Sequence, residues 1–471
     1  MKQSKNTTSR RAFVKKIAAG AALLTTSGPA ILTGKNDIQQ YSLSRLNPYS
    51  ANDQVQIALI GAGGMGTADT DTALQVPGVR LVAVCDLYTG RLEDAKGRWG
   101  KDLFTTKDYR EILNRSDVDA VIVATPDHWH MPISVEALNK GKGVYCEKPM
   151  VHDVTEGAAV VQAQQKSGKT FQVGSQGLSS LGNEKAKELF ESGAIGQFIY
   201  AEGFWARNSP VGAWQYAIPQ DASPDTVDWD RYIANTTKRA FDPLRFFRWR
   251  NYRDYGTGIA GDLFVHQFSG IHFVMNSLGP QRVCAMGGTY FWKDGRDVPD
   301  LQMGMFDYPE TGDHPPFQIN LRVNFEAGGT GGSDGQGFRF VGTDGVLNLS
   351  VGNALVLSKR PRQTDPGTTA ETFPKAIAKQ IIDEHDAKYP RKGPSLSGMQ
   401  PVTEERFMMP PGYSEQTAHP ETFFNAIRSR TPVTEDAVFG LRAAGPALLA
   451  NMSYFERRIV DWDPVKMRVK G

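Results

Sequence analysis

The stretch Val55-Gln56-Ile57-Ala58-Leu59-Ile60-Gly61-Ala62-Gly63-Gly64-Met65-Gly66 decides the fold of this 471-residue chain. Its first half is an apolar run, as expected of a strand buried on both faces of a parallel sheet. Its second half is a Gly-x-Gly-x-x-Gly turn followed by helical spacing to about Gln75. Such a glycine triplet is a weak signal alone, but the context strengthens it. Arg80-Leu81-Val82-Ala83-Val84-Cys85-Asp86 reads as the next strand, ending in an acid twenty residues beyond Gly66. The first glycine permits a tight turn, the second lets a pyrophosphate reach the backbone, and the third lets helix and strand pack closely. The helix N-terminus then offers free N–H groups and a favourable dipole to the anion. Asp86 would accept hydrogen bonds from ribose hydroxyls and repel a 2′-phosphate, so NAD is expected over NADP. Arg91 is the one nearby feature that favours a phosphate.

Outward from this loop, strand and helix signals alternate as far as Gln176. Asp119–Thr125, Gly143–Cys146 and Thr170–Val173 read as further strands, with helices at Leu87–Trp99, Tyr109–Asn114, Pro132–Lys140 and Thr155–Lys166. That alternation predicts βαβ units and a parallel sheet. After a helix at Asn183–Ser192 come β-rich runs at Phe198–Trp205, Arg282–Trp292, Leu301–Tyr308, Phe317–Phe325 and Gly337–Leu357. The last contains Asp344-Gly345, a hairpin turn signal. Residues 360–372 and 387–411 read as long loops, and Glu421–Ser429 and Asp436–Tyr454 as closing helices. The fold class is therefore α/β: an N-terminal Rossmann parallel sheet plus a C-terminal α/β domain with an open, largely antiparallel sheet. The expected domains are 50–177 for NAD and 178–471 for substrate binding and oligomerisation.

The first 35 residues read differently. Ser9-Arg10-Arg11-Ala12-Phe13-Val14-Lys15 is a twin-arginine pattern, and an apolar, Ala-rich stretch runs from Ile17 to about Leu32. Broken by Thr25-Thr26-Ser27-Gly28-Pro29, that stretch is too short for a good membrane span of about 20 apolar residues. It resembles a Tat export signal over residues 1–35, with a basic arm as the competing reading. The expectation is a periplasmic or exported protein after cleavage, with no stable membrane anchor. Tat carries folded proteins, which suits an enzyme loaded with its nucleotide before export. The formal charge of +2 gives no reason to expect nucleic acid as a partner. Cys85, Cys146 and Cys284 lack CxxC spacing, so neither a disulfide framework nor a cysteine zinc site is implied. Cys85 and Cys146 read as small apolar residues in buried strands.

Two further features carry chemistry. Glu147-Lys148-Pro149 follows the strand ending at Cys146 and places a lysine at the C-terminal edge of the sheet, where open α/β sheets bind ligands. In Gly258-Ile259-Ala260-Gly261-Asp262-Leu263-Phe264-Val265-His266, Asp262 and His266 are four apart and share one face of a helix. Hydride transfer from a sugar alcohol needs a base for the hydroxyl proton, and histidine titrates in the useful range. A lysine ammonium can polarise the reacting oxygen, and a carboxylate can orient the imidazole or hold a hydroxyl. The competing reading of the pair is a helix-start cap and a core histidine. Thr125-Pro126-Asp127-His128-Trp129-His130 follows another buried strand. His128 and His130 lack the further ligands a metal needs, so no metal is expected.

Together the glycine loop with Asp86, Ala124-Thr125-Pro126 with His128 and His130, Glu147-Lys148-Pro149, Gly193-Ala194-Ile195-Gly196 and the Asp262/His266 pair resemble the Gfo/Idh/MocA oxidoreductase family. The resemblance implies a catalytic group of Lys148, Asp262 and His266, with His266 as base. It implies nucleotide contacts from Gly61, Gly63, Gly64, Met65, Gly66, Asp86, Thr125, Pro126, His128, His130, Glu147, Lys148 and Gln176. It further implies a carbohydrate or cyclitol substrate and a homo-oligomer, dimer or tetramer. One departure stands out: the family often has Asp three residues after the histidine, where this chain has Ser269, with a further histidine at His272. Aromatic and arginine residues between Trp205 and Tyr255, among them Arg207, Trp214, Tyr216, Arg245, Trp249, Arg250 and Tyr252, suit either a carbohydrate site or loop packing. The expected activity is NAD-dependent oxidation of a secondary hydroxyl of a sugar, glycoside or cyclitol. The alternative is a redox-neutral NAD-dependent glycosidase, in which transient oxidation enables elimination; the NAD-dependent glycosidases available for comparison depart from Glu-Lys-Pro. A sugar-binding protein with a structural NAD is the third possibility. Export favours tightly bound NAD, because the free NAD pool is cytoplasmic.

Overall fold

A computed structural model describes residues 54–327, 335–350, 354–359, 367–389 and 402–470. The export-signal reading of residues 1–35 falls outside them. Val55–Ile60 (β1), Val79–Cys85 (β2), Phe104–Thr106 (β3), Ala120–Val123 (β4), Gly143–Glu147 (β5) and Phe171–Gly174 (β6) form one sheet in the order β3-β2-β1-β4-β5-β6. Every pairing in it is parallel. The apolar character of β1 has a direct cause. Ile57 and Leu59 pack in one core cluster, while Ala58 and Ile60 pack in another. The strand order reverses at β1 and β4, and the crevice at that point is where such sheets bind ligands. β3, three half-buried residues at the sheet edge, lies in a segment that carries no strand periodicity and was not expected.

The second sheet has ten strands: Phe198–Ala206 (β7), Arg282–Gly288 (β8), Leu301–Tyr308 (β9), Phe317–Asn324 (β10), Gln336–Gly342 (β11), Val346–Ser350 (β12), Ala354–Lys359 (β13), Thr403–Met408 (β14), Val460–Asp463 (β15) and Arg468–Val469 (β16). β7 and β10 run parallel. The other pairings are antiparallel. Period-2 patterning is clear in β10, where Phe317, Ile319, Leu321 and Val323 are buried and Gln318, Asn320 and Arg322 face out. The expected turn is present: Val341 pairs with Val346, and the Gly342 amide donates to the Gly345 carbonyl at 2.9 Å. The run read as Gly337–Leu357 falls in three strands, β11 to β13. The segment read as a loop over 387–411 contains β14, an edge strand whose only buried residue is Phe407, so it lacks the alternation that marks a strand.

Between β7 and residue 258 the chain makes a long excursion that returns to the nucleotide end of the first sheet. Its backbone joins the turn after β2: Thr89 N–H donates to the Thr226 carbonyl and Asp228 N–H to the Leu87 carbonyl, both at 2.9 Å. Trp129 Nε1 donates to the Tyr232 carbonyl at 2.9 Å, and Asn235 Nδ2 to the His128 carbonyl at 2.8 Å. Val227, Trp229, Tyr232, Phe246, Phe247 and Tyr255 form an apolar cluster with Leu87 and Tyr88. The excursion is thus packed against the crevice by burial and fixed there by backbone acceptors. No helix among the described residues is long and apolar enough to cross a membrane. Cys85 and Cys146 are buried in β2 and β5, and Cys284 is half-buried in β8.

Candidate active site

The glycine loop is shaped by contacts that admit no side chain. Gly61 has φ +98°, and a Cβ there would lie 2.6 Å from the Ala124 carbonyl oxygen; at Gly66 it would lie 2.0 Å from the Gly61 carbonyl oxygen. A Cβ at Gly64 would meet open space, so the backbone is bare on that side. The following helix, Gly64–Ala73 (α1), has no side-chain cap and leaves its N-terminal amides to a ligand. Asp86 is buried; its Oδ2 accepts from the Ala62 amide at 2.8 Å and its Oδ1 from the Tyr88 amide at 2.9 Å. It therefore pins the glycine loop as well as facing the crevice. Arg91 lies 3.4 Å from Asp86 and above the Phe247 ring, so its charge is directed to the carboxylate.

These residues wall a cavity of about 440 Å³, whose floor includes Gly61, Gly63, Gly64, Met65, Thr125 and Pro126 and whose roof is Tyr216, Tyr232, Phe246, Phe247, Trp249 and Arg250 of the excursion. Bare glycine backbone, an uncapped helix end and an acid at the second strand fit a dinucleotide, and the bare crevice is where its pyrophosphate would rest. Gly66→Ala should force the turn open, because the clash is with backbone. The expected result is at least a 100-fold loss of NAD affinity with the fold retained, read by calorimetry and circular dichroism.

A second cavity of about 550 Å³ shares the wall residues Met65, Tyr216 and Arg250 with the first, so the two lie side by side. Lys148, Asp262, His266, Glu147 and Gln176 all face it. Lys148 follows β5 directly. Its Nζ donates to Asp262 Oδ1 at 2.7 Å and to the Asp262 carbonyl at 3.0 Å. Arg250 Nε donates to the same Oδ1 at 3.2 Å. Burial alone would raise the Asp262 pKa, but Lys148 and then Arg250 outweigh it and hold the carboxyl far below its usual range. Asp262 lies in a π-helical turn, Ala260–Phe264, ahead of the α-helix Val265–Met275 (α2). The simple helical face expected from the four-residue spacing is thus locally widened, a deviation found often at functional sites. The pair still reaches one cavity, with Asp262 turned to Lys148 rather than to His266. The His266 ring packs on Trp205 at 5.2 Å. No hydrogen-bond partner for its ring nitrogens is present among the described residues, so they are open to a ligand. Burial, and next Lys148, push His266 down to about 3, leaving an imidazole that is neutral at physiological pH and a weak base in the unliganded site.

Behind these groups lies a buried polar layer. The Gln176 amide donates to Glu147 Oε1 at 2.8 Å, Tyr145 Oη at 3.0 Å and Asp69 Oδ1 at 3.2 Å. Burial raises both Asp69 and Glu147. Glu147 and Gln176 thus face the second cavity rather than the one under the glycine loop. Asp69 was not expected, because Ala68-Asp69-Thr70-Asp71 reads as an exposed helix surface. His128 and His130 were expected at the nucleotide but line neither cavity. The His128 nitrogens face the Tyr255 and Tyr232 carbonyls, and those of His130 the Pro149 and Thr125 carbonyls. They brace the loops that carry Thr125 and Lys148, so the expected direct contact becomes a supporting one. Of the aromatic and arginine stretch, Trp205, Arg207, Trp214, Tyr216 and Arg250 line the second cavity, while Arg245 packs over Tyr252.

Ser269 donates to Glu435 Oε1 at 2.8 Å, and His272 Nε2 lies 2.7 Å from Tyr308 Oη; neither residue lines the cavity. Burial, against hydrogen bonds from Ser269 and Ser175, pushes Glu435 up to about 8 from its ordinary 4.5. Folded, it keeps a proton that the unfolded chain has shed. Its contribution to stability is therefore complete below pH 4.5 and is lost as pH rises towards 8. Glu435→Gln should gain stability relative to the wild type between pH 5 and pH 8, by about 1–3 kcal/mol, measured by denaturant unfolding at both pH values.

Fold and site define an α/β architecture of the dinucleotide-binding kind, with an imidazole, an ammonium and a carboxylate gathered beside the crevice. Residues 55–175 match the family model GFO_IDH_MocA, described as oxidoreductase family, NAD-binding Rossmann fold. The chain is similar to an inositol 2-dehydrogenase of Rubrobacter xylanophilus, 32% identical over 199 residues, which is 42% of this chain and 53% of that protein. It is also similar to a glycosyl hydrolase family 109 protein of Shewanella sp. (strain ANA-3), 38% identical over 112 residues, covering 22% of this chain and 25% of that one. The chain thus spans about half, or less, of the length of these relatives. A solved levoglucosan dehydrogenase complexed with NADH and levoglucosan has the same fold, with a TM-score of 0.60, 19% identity, and coverage of 87% of this chain and 99% of that one.

Proposed function

We propose that this chain is a Gfo/Idh/MocA-type, NAD-dependent oxidoreductase that acts on a secondary hydroxyl of a sugar, glycoside or cyclitol. The observation that carries this reading is the adjacency of the two cavities, with Lys148, Asp262 and His266 gathered in the one that borders the nucleotide crevice. Bound NAD would supply the hydride acceptor. His266, neutral and unpartnered, takes the hydroxyl proton. Lys148, anchored by Asp262, polarises the reacting oxygen. Asp262, held ionised, fixes the ammonium and keeps a lone pair for a substrate hydroxyl. The intact Glu147-Lys148-Pro149 turn favours net oxidation. The relative named glycosyl hydrolase family 109 keeps the redox-neutral glycosidase as the second reading. The aromatic roof over the first cavity favours retention of NAD as a resident group, which suits the twin-arginine reading of residues 1–35 and work outside the cytoplasm.

The test is to purify the protein, measure bound nucleotide, and add sugars and glycosides without external cofactor. Bound NADH and a keto-sugar support oxidation. Aglycone release with unchanged nucleotide redox state supports the glycosidase. Protein that neither carries nor binds NAD contradicts both.

We also propose a homo-oligomer, dimer or tetramer. On the outer face of the second sheet Met286, Met303 and Met305 are 76%, 47% and 56% exposed, and Met286 pairs with Met303 across β8 and β9. An apolar, regular sheet surface of this kind suits a second copy. Met305→Glu should shift the species seen by light scattering to monomer; an unchanged mass would move the interface elsewhere.

A further inference from the structure

The catalytic cavity is lined by three cations, Lys148, Arg207 and Arg250. Asp262 serves two of them through a single oxygen, at 2.7 Å to Lys148 and 3.2 Å to Arg250. The other acids on the wall are committed: Glu147 to Gln176 in the buried layer behind, and Glu415 to a partner of its own. Arg207 differs. Its Nη1 donates to the Gly212 carbonyl at 2.9 Å, and its guanidinium lies 5.6 Å from the centres of the Trp205 and Phe325 rings. Among the described residues no carboxylate lies within ion-pair distance of it. Its charge reaches Asp262 only at a distance, behind Lys148 and Arg250, while two aromatic rings and a carbonyl hold the group in place. A half-buried, pre-positioned guanidinium with no ion pair among the described residues is suited to recognise an anion on a ligand, and its planar fork matches a carboxylate or a sulfate.

Resting on the oxidoreductase reading above, we infer that the substrate is an acidic sugar, a uronate or sugar sulfate, whose anionic group is taken by Arg207. The arrangement couples binding to chemistry. After burial and Lys148, and against Asp262, Arg207 is one of the charges that keep His266 low. An anion docked on Arg207 offsets that one contribution, the smallest of those acting on His266, and so nudges its basicity upward when the acidic substrate is present. Trp205 is next to both residues, its ring centre 5.2 Å from that of His266 and 5.6 Å from the Arg207 guanidinium. A pyranose ring bound by its acidic group would lie along that aromatic wall.

The experiment uses the NAD-loaded enzyme and follows reduction of its bound nucleotide by glucuronate and galacturonate, by the matching hexoses, and by hexose 6-sulfates. The acidic sugars should be preferred at least tenfold in kcat/KM. Arg207→Gln should collapse that preference, chiefly through a 10- to 100-fold rise in KM for the acidic sugar, and Arg207→Lys should restore part of it. Uronate preferred over sulfate identifies a carboxylate, and the reverse a sulfate. Hexoses used as well as their acidic counterparts by the wild type would overturn the inference and leave the oxidoreductase reading standing. So would an Arg207→Gln protein that keeps the preference. A wild type whose NAD no sugar reduces would remove both. The wild-type comparison decides the matter even where the variant fails to fold.

Discussion

Replacing His266 with alanine should lower sugar-dependent reduction of bound NAD by about 10²–10⁴-fold, the usual worth of a positioned general base, while nucleotide content stays at the wild-type level. The separation follows from geometry. His266 lines the catalytic cavity, and no part of it faces the nucleotide cavity walled by the glycine loop. Its ring nitrogens hold no structural hydrogen bond among the described residues, so truncation leaves no buried partner unsatisfied. What is lost is packing against Trp205, a cost of about 1–2 kcal/mol that should appear in unfolding and not in NAD binding. Parallel loss of NAD and activity would mean that His266 supports the fold, as the core-histidine reading holds. The measurement is single-turnover reduction of the bound nucleotide alongside its stoichiometry in the purified protein.

Lys148→Met should be as damaging to turnover and should also destabilise the protein by about 3 kcal/mol, because removing one partner of a buried pair leaves the other charge uncompensated. Both side chains are about nine-tenths buried at 2.7 Å. Arg250 at 3.2 Å remains to share the Asp262 charge, which keeps the loss towards the low end of the range. The double variant Lys148→Met/Asp262→Asn should recover much of the stability and none of the activity. A double variant no more stable than Lys148→Met would show that the pair contributes packing rather than charge compensation. Chemical denaturation and single-turnover kinetics on the wild type, Lys148→Met, Asp262→Asn and the double variant separate the two effects.

Much of this was legible in the residues, for physical reasons. A strand buried on both faces has to be apolar, so β1, β2, β4 and β5 announced the parallel sheet. Gly61 and Gly66 were legible because only glycine fits their backbone contacts. Lys148, Asp262 and His266 were legible as chemical types at element ends. Contacts made across long sequence separations were not. Nothing near Ser269 points to Glu435, 166 residues away. Asp69 sits in a helix whose polar neighbours disguise its burial. His128 and His130 had the right position in the chain, but their nitrogens turned to backbone carbonyls instead of the crevice. The π-helical turn at Ala260–Phe264 was invisible to a spacing argument that assumes 3.6 residues per turn. The edge strand β14 was missed because only one of its residues needs to be apolar. The folding of 207–257 over the crevice depends on Tyr88, Phe246 and Phe247 meeting in space, which no local pattern encodes.

The central claim, that His266 and Lys148 serve direct oxidation of a sugar carbon by NAD held in the adjoining cavity, is tested most directly with a substrate sugar deuterated at its ring carbons. After one turnover of the NAD-loaded enzyme in ordinary water, the account predicts that the recovered reduced nucleotide carries one deuterium at the nicotinamide ring. Reduced nucleotide without deuterium, or a sugar transformed while the nucleotide never acquires the label, would contradict it.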